Sequence, residues 1–157
     1  MKLTDILPVE NIKIPLESDN KDEIIDELVD LITDSNPLIE KKIVHKAVVD
    51  REKSASTGIG KGIAIPHCKT AGVKEMIAAL SISRDGRDFD ALDGKPVNVF
   101  FLVVTPGSKN FAGPHIKCLS IISKLLGKEE FRKNLIESES PKDALRLLEE
   151  GEQNLDS

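Results

Sequence analysis

The sequence predicts a single-domain α/β protein with a mixed, mostly parallel β-sheet and helices packed on both faces. Segments with apolar residues at helical spacing alternate with short apolar segments, which is typical of layered α/β domains. The segment Val97–Val104 is almost wholly apolar, as a central strand covered on both faces must be. The length of 157 residues fits one domain.

The first third of the chain contains a predicted edge strand and two predicted helices. The strand covers Ile12–Leu16 and includes a proline, which cannot donate to a strand ladder. A helix follows from about Lys21 to Thr33, after a Ser-Asp-Asn segment that can cap it. A second helix spans about Ile39–Lys53, and we expect Ile43, Ala47 and neighbouring valines on its inward face.

Small residues dominate residues 54–62, where glycine occurs at every second position from Gly58. This composition predicts a loop whose backbone can approach another group closely. Short strands are expected at residues 63–65 and 76–83, before the central strand.

Three helices complete the predicted fold, at about residues 114–126, 128–137 and 141–150. The first opens at a proline and ends at Gly127, as helices often do. Its expected buried stripe consists of Ile116, Leu119, Ile122, Leu125 and Leu126. We therefore assign residues 1–150 to one domain and expect residues 151–157 to form a polar, frayed tail.

Composition excludes several classes of function. The formal charge is −5 and the basic residues are scattered, so nucleic acid is not expected as a partner. No apolar run is long enough to cross a bilayer, and Met1–Asp5 lacks the apolar run of a signal peptide, so we expect a cytoplasmic protein without membrane insertion. Two cysteines are too few for a disulfide framework.

The three histidines have different sequence contexts. His67 follows the glycine-rich loop, a short apolar strand and a proline. This context can place an imidazole nucleophile beside backbone N–H groups that donate to phosphate. A histidine that caps a turn is an equally good interpretation. His115 lies in the first turn of a helix, where the dipole favours a neutral ring. His45 is expected to be solvated on the second helix.

Four other residues are candidates for binding phosphate. Arg51 closes the second helix just before the glycine-rich loop, and its guanidinium suits a phosphate, although an ordinary surface arginine is an alternative. Ser56, Thr57 and Gly58 add hydroxyl and amide donors. The loop is not a Walker loop, because no Gly-Lys-Ser/Thr follows, and it precedes a strand, unlike a dinucleotide-binding loop.

A zinc site is the rival interpretation of the same region. His67-Cys68 and His115-x-x-Cys118 supply two imidazoles and two thiols, which suit tetrahedral zinc in a hydrolase. Neighbouring residues of an extended segment point in opposite directions, however, so His67 and Cys68 cannot easily share a metal. Cys118 also falls near the apolar stripe of its helix, which favours a buried core thiol.

Several of these motifs together resemble a known family, the enzyme IIA domain of the bacterial sugar phosphotransferase system in its mannitol/fructose/nitrogen-regulatory class. The resemblance spans nearly the whole chain, and the Gly-Ile-Gly-Lys-Gly-Ile-Ala-Ile-Pro-His stretch is its most specific part. The resemblance rests on four motifs of this chain, which are Arg51-Glu52, Ser56–His67, Phe89–Val97, and His115 followed by Leu119 and residues 121–126. Cys68 stands where this family usually has a smaller residue.

The resemblance implies that His67 is phosphorylated by the histidine-containing phosphocarrier protein, with His115 as the second histidine and Arg51 as a charge-balancing neighbour. It implies no metal and no organic cofactor. The phosphoryl group then goes to a IIB domain in sugar transport, or its presence changes which target proteins are bound in nitrogen regulation. The Phe89–Gly94 stretch resembles the regulatory branch more closely.

Overall fold

The strand β6 (Val97–Pro106) is the centre of the fold in the computed structural model, which describes residues 1–155. Three strands pair with it directly, and nine of its ten residues are buried. The other strands are β1 (Ile12–Lys13), β2 (Gly58–Gly60), β3 (Ile63–Ala64), β4 (His67–Thr70) and β5 (Ile77–Arg87). The prediction of a central, doubly covered strand is confirmed.

The sheet is mixed and mostly parallel, as predicted. Its order is β1-β5-β6-β3-β2, and β4 pairs with β6 beyond the end of β3. The pairs β1–β5, β3–β6 and β4–β6 are parallel, whereas β5–β6 and β2–β3 are antiparallel.

Helices cover both faces of this sheet. The helices are α1 (Leu3–Ile6), α2 (Lys21–Ser35), α3 (Lys41–Ser54), α4 (Ala112–Leu126), α5 (Glu129–Ile136) and α6 (Pro141–Leu155). Alternate residues of β6 point into two apolar clusters, as the two-residue period of a strand requires. One cluster is shared with α2 and α3, and the other with α1, α4, α5 and α6. None of the helices in the described part of the chain is both long and apolar enough to cross a membrane.

The buried stripes of two helices are confirmed except at one position each. In α3 the valines Val44 and Val48 are buried as expected, whereas Ile43 is 44% exposed. In α4 the predicted Ile122, Leu125 and Leu126 are buried, whereas Ile116 is 67% exposed. Each exposed residue is one step from a buried one, and one step along a helix rotates a side chain by about 100°.

Several boundaries also differ from the predictions. The strand β1 ends at Lys13 and not at Leu16, and β5 continues to Arg87 and not only to residue 83. The strand β4 begins at His67 itself, where we expected only a strand end before it. The short helix α1 was not predicted. The helix α6 continues to Leu155 because Glu152 is buried and accepts hydrogen bonds from the Leu3 amide at 2.8 and 3.1 Å. Of the predicted polar tail, residues 151–155 are therefore helical, and residues 156–157 lie outside the described part.

The glycines before His67 serve the fold of the chain itself. Gly60, Lys61 and Gly62 have φ angles of 97°, 60° and 78°, which turn β2 back onto β3. A side chain at Gly58 would place its Cβ 2.8 Å from the Cα of Ala91, so this glycine allows the 88–96 loop to pack on β2. The close backbone approach predicted for this loop is thus made within the protein.

Candidate active site

His67 and His115 lie side by side in a pocket of about 700 Å³ at the end of the sheet. The two ring centroids are 5.7 Å apart, and the ring planes are inclined by 57°. His67 comes from β4 and His115 from the first turn of α4, which begins soon after the adjacent strand β6 ends. The residues that line the pocket are Ala47, Asp50, Arg51, His67, Cys68, Lys69, His115 and Leu119.

The backbone fixes the tautomer of His67. Its Nδ1 lies 2.8 Å from the carbonyl oxygen of Ile65. A carbonyl oxygen only accepts hydrogen bonds, so Nδ1 must carry the proton and donate it. The lone pair of the neutral ring is therefore on Nε2, which is the nitrogen available as a nucleophile.

The pKa of His67 is lowered from its ordinary value, so the ring is neutral at physiological pH. Burial is the largest cause, and the positive charges of Arg51 and Lys69 lower the pKa further. The bond to the Ile65 carbonyl and the carboxylate of Glu52 act in the opposite direction. A neutral imidazole is the form with a free lone pair, and it is the form that nucleophilic attack requires.

The ring of His115 is held by a hydrogen bond to a residue that the sequence analysis missed. Its Nδ1 lies 2.6 Å from the hydroxyl oxygen of Thr105, a fully buried residue of β6. A hydroxyl can donate or accept, and we consider the arrangement in which Thr105 donates to Nδ1. His115 then carries its proton on Nε2 as a donor.

Burial lowers the pKa of His115 to about 4, with smaller contributions from His67 and from the positive charge of Lys69. The ring is 5% exposed and therefore neutral over the physiological range. Two neutral histidines thus face one pocket, and Nε2 of His67 is the free nucleophilic nitrogen.

Arg51 reaches the pocket from the last turn of α3. Its Nη1 donates to the carbonyl oxygen of Ala55 at 3.1 Å, which holds the guanidinium beside the loop that follows the helix. The other guanidinium N–H groups make no hydrogen bond to residues 1–155 and can serve a phosphate. The structure therefore brings His67, His115 and Arg51 together.

Ser56, Thr57 and Gly58 do not line this pocket. The backbone N–H and hydroxyl of Thr57 both donate to the buried carboxylate of Glu52, at 2.8 and 2.5 Å. The Gly58 amide donates to the Ser56 hydroxyl, which itself donates to the Phe89 carbonyl oxygen. These donors are engaged within the protein, so any of them would have to exchange its partner to contact a phosphate.

Glu52 holds the loop around Thr57 in place through hydrogen bonds. It is a second residue to which the sequence analysis gave no role. Its carboxylate is 7% exposed and accepts the two bonds from Thr57. It also forms an ion pair with Lys21 at 2.9 Å. The Lys21 ammonium lies 4.8 Å from the centre of the Phe89 ring, so one network joins α2, α3 and the glycine-rich hairpin.

The candidate zinc ligands are separated by the sheet. Cys68 and Cys118 belong to the two different apolar clusters, and both thiols are buried. In the described part of the chain, no group of three potential ligands lies close enough together to hold a metal ion. The Cys68 side chain packs in the apolar cluster under α2 and α3 and also forms part of the wall of the pocket.

The family model for EIIA 2 of the phosphoenolpyruvate-dependent sugar phosphotransferase system matches residues 5–151. A fructose-specific EIIABC component of Bacillus subtilis is 43% identical over 141 residues, covering 89% of this chain but only 22% of that protein's length. A fructose-specific EIIA component of Haloferax volcanii is 35% identical, over 96% of this chain and 98% of its own.

Solved structures show the same fold. The nitrogen regulatory protein IIA-Ntr of Neisseria meningitidis superposes with a TM-score of 0.85 at 31% identity, covering 93% of this chain and 98% of its own. The mannitol enzyme IIA of Escherichia coli, solved in complex with phosphorylated enzyme IIB, has a TM-score of 0.75 at 21% identity, covering 90% and 95%.

Proposed function

Because the chain belongs to the EIIA 2 family of the phosphoenolpyruvate-dependent sugar phosphotransferase system, we propose that Nε2 of His67 accepts a phosphoryl group and passes it on. The observation that carries this proposal is the bond from His67 Nδ1 to the Ile65 carbonyl, which leaves Nε2 as the only nucleophilic nitrogen of a neutral ring. The donor is the histidine-containing phosphocarrier protein.

In the proposed step, the bond between phosphorus and the donor imidazole breaks as the bond to Nε2 of His67 forms. The proton stays on Nδ1 throughout, and its hydrogen bond to the Ile65 carbonyl oxygen stabilises the positive charge that the ring develops. Breaking and forming similar N–P bonds makes the step nearly isoergic, so positioning and charge stabilisation supply the catalysis. The residues present can do this without a metal or an organic cofactor.

Arg51 and His115 stabilise the phosphoryl oxygens during the transfer. The free N–H groups of Arg51 and the Nε2–H group of His115 both belong to the pocket that contains His67. Preorganised donors of this kind each contribute about 10²–10³ in rate. Ser56, Thr57 and Gly58 keep the bonds that shape the loop, and direct contact with phosphate remains a prediction that requires those bonds to open.

Two destinations for the phosphoryl group have support. The structural likeness to a nitrogen regulatory protein and the Phe89–Gly94 stretch favour a regulatory role, in which phosphorylation changes the binding of target proteins. The identity to fructose-specific relatives favours transfer to a IIB domain during sugar uptake. We propose the regulatory destination first, with the sugar pathway as the alternative, in the cytoplasm in either case.

The central test is phosphorylation with phosphoenolpyruvate, enzyme I and the phosphocarrier protein. We expect one acid-labile phosphate on His67, with a ³¹P spectrum of Nε2-phosphohistidine. H67Q should lose at least about 10³-fold in the rate of uptake, because the glutamine amide has no nucleophilic nitrogen to replace Nε2. H45Q, a matched change on α3, should retain the wild-type rate. Wild-type uptake by H67Q, or phosphate on Nδ1, would contradict the proposal.

The destination is tested separately by following the phosphate after it reaches His67. Rapid loss of label to a purified IIB domain supports sugar transport. Stable phosphorylated protein with altered binding of a target supports regulation.

A further inference from the structure

A second groove, which we call the distal groove, lies at the end of β5 that is remote from His67 and has a volume of about 460 Å³. It is lined by the connection between β1 and α2, the end of β5 and the connection between α5 and α6. On β6, His67 pairs with Val103, whereas Arg87 at the groove pairs with Val97. These two positions are about 20 Å apart along the strand, so the distal groove is separate from the candidate active site.

Arg87 lines the distal groove, and uncharged acceptors hold its guanidinium in place. Its Nε donates to the Ser18 carbonyl oxygen at 3.0 Å, and its Nη1 donates to the Gly86 carbonyl oxygen at 2.9 Å and to the Ser83 hydroxyl at 3.0 Å. The ion pair with Asp19 is long, at 3.7 Å, and that carboxylate is 87% exposed. The head group is therefore fixed, and the two N–H groups of Nη2 can serve a ligand.

Arg84 also lines the distal groove and is held in a similar way. Its Nη2 donates to the Glu137 carbonyl oxygen at 2.8 Å. Among residues 1–155, Arg84 forms no ion pair. A carbonyl oxygen orients a guanidinium without neutralising it, so both arginines bring positive charge and unused N–H groups to this groove.

Two carboxylates line the same groove without pairing with these arginines. Asp85 and Glu139 are exposed, and neither forms an ion pair in the described part of the chain. Charges of both signs that share a groove without contacting each other suit a ligand that itself carries both signs. A simple anion such as phosphate would be attracted by the arginines but repelled by the carboxylates.

Apolar side chains form the rest of the wall. Ile14, Pro15 and Leu16 line the distal groove together with Ile82 of β5. Leu16 and Ile82 are buried, whereas Ile14 is only half-buried and Pro15 is exposed. An apolar wall with a few charged groups is the usual composition of a small-molecule site, and the volume lies within the range of such sites.

We propose that the distal groove binds a free α-amino acid with an apolar side chain. Arg84 and Arg87 bind the α-carboxylate, and Asp85 and Glu139 bind the α-ammonium group, while the side chain packs on the apolar wall. An α-amino acid carries its two charges on groups attached to one carbon, so a single small molecule can contact both pairs of residues. This site goes beyond the proposed function, because it requires neither His67 nor a phosphoryl group.

The test uses L-leucine and two analogues that each lack one of its charges. Isocaproate lacks the ammonium group, and isoamylamine lacks the carboxylate. Each is titrated into ¹⁵N-labelled protein up to about 10 mM, which covers the weak affinity that a few charged contacts supply. L-leucine should shift the amide resonances of Leu16, Ser83 and Ser138, which line the groove. Both analogues should bind at least about tenfold more weakly, because each has lost a charge-assisted contact.

Matched variants assign the contacts to residues. R84Q removes one guanidinium and D85N removes one carboxylate, both at exposed positions, and each should weaken the binding of L-leucine about tenfold. R146Q and D34N make the same changes at exposed positions that do not line the groove, and they should bind L-leucine as the wild type does. H67Q should also bind L-leucine with the wild-type affinity.

Three results would overturn the inference. The first is the absence of any shift at the distal groove with L-leucine. The second is binding of isocaproate as strong as that of L-leucine, since the groove would then be a site for simple anions. The third is wild-type affinity in both R84Q and D85N.

The two proposals fail independently, because binding is measured on the unphosphorylated protein. If His67 is not labelled by the phosphocarrier protein but L-leucine binds as expected, only the proposed function falls. If His67 is labelled and L-leucine does not bind, only the inference about the distal groove falls.

Discussion

Lysines on the two sides of this molecule differ in whether they form ion pairs. On the side of α2, Lys13, Lys21 and Lys41 each form ion pairs with carboxylates. Beside the pocket, Lys69 and Lys117 have no such partner among the described residues. The paired lysines hold elements of the fold together, whereas the unpaired ones leave their charge available to a phosphate or a partner. Each prediction below tests one side of this difference.

The largest effect on stability is expected at Lys21. K21M leaves the buried carboxylate of Glu52 without its counter-ion, and loss of one partner of a buried pair costs about 3–5 kcal/mol. Urea unfolding should show this loss in the free energy of unfolding. The matched change K69M, beside the pocket, should alter that free energy by less than about 0.5 kcal/mol. Equal losses in the two variants would show that the paired and unpaired lysines do not differ.

On the pocket side, burial of His115 should lower the free energy of unfolding at acid pH. Its folded-state pKa of about 4 lies below the ordinary value of 6.5, so the unfolded chain binds a proton in this interval while the folded protein does not. Stability must therefore fall as the pH decreases from about 6.5 to 4. The shift corresponds to up to about 3 kcal/mol.

H115Q removes this titration, so its free energy of unfolding relative to the wild type should improve as the pH falls from 7 to 4. Unfolding curves at several pH values measure this difference. Parallel pH profiles for the two proteins would mean that His115 is not held neutral by burial.

The smallest effect is expected at Lys41, which pairs with Asp26 and Asp30 at 2.9 and 2.7 Å but is 42% exposed. Water screens such pairs, so K41M should lower the free energy of unfolding by only about 0.2–1 kcal/mol, and high salt should reduce the difference. A loss as large as that of K21M would show that pairing, and not burial, sets the contribution of these lysines.

Local patterns in the sequence predicted the layers of the fold, and the family resemblance predicted that His67 and His115 lie together. Apolar periodicity located α2, α4 and β6, because burial of those segments depends on residue spacing. The strand β4 was missed because His-Cys-Lys-Thr lacks a clear apolar alternation, although its pairing with β6 positions His67.

What the sequence could not supply were contacts between distant segments. Thr57 is a plausible phosphate donor by its place in the loop, yet its hydrogen bonds go to Glu52 on α3. Thr105 orients His115 from another element, and its only signal was a polar residue ending an apolar strand. Such pairings depend on the packing of elements, which residue spacing does not encode.

Successive side chains of β4 lie on opposite faces of the sheet, and this makes the two thiols useful as probes of the two helical layers. Cys68 follows the reactive His67 in the chain, yet its side chain is buried on the α2 and α3 side, while Cys118 is buried on the other side of the sheet. Burial raises the pKa of each thiol to about 12. A thiol reagent can therefore react only when the covering layer opens. The labelling rates of Cys68 and Cys118 would report the opening of the two layers separately, without any introduced probe.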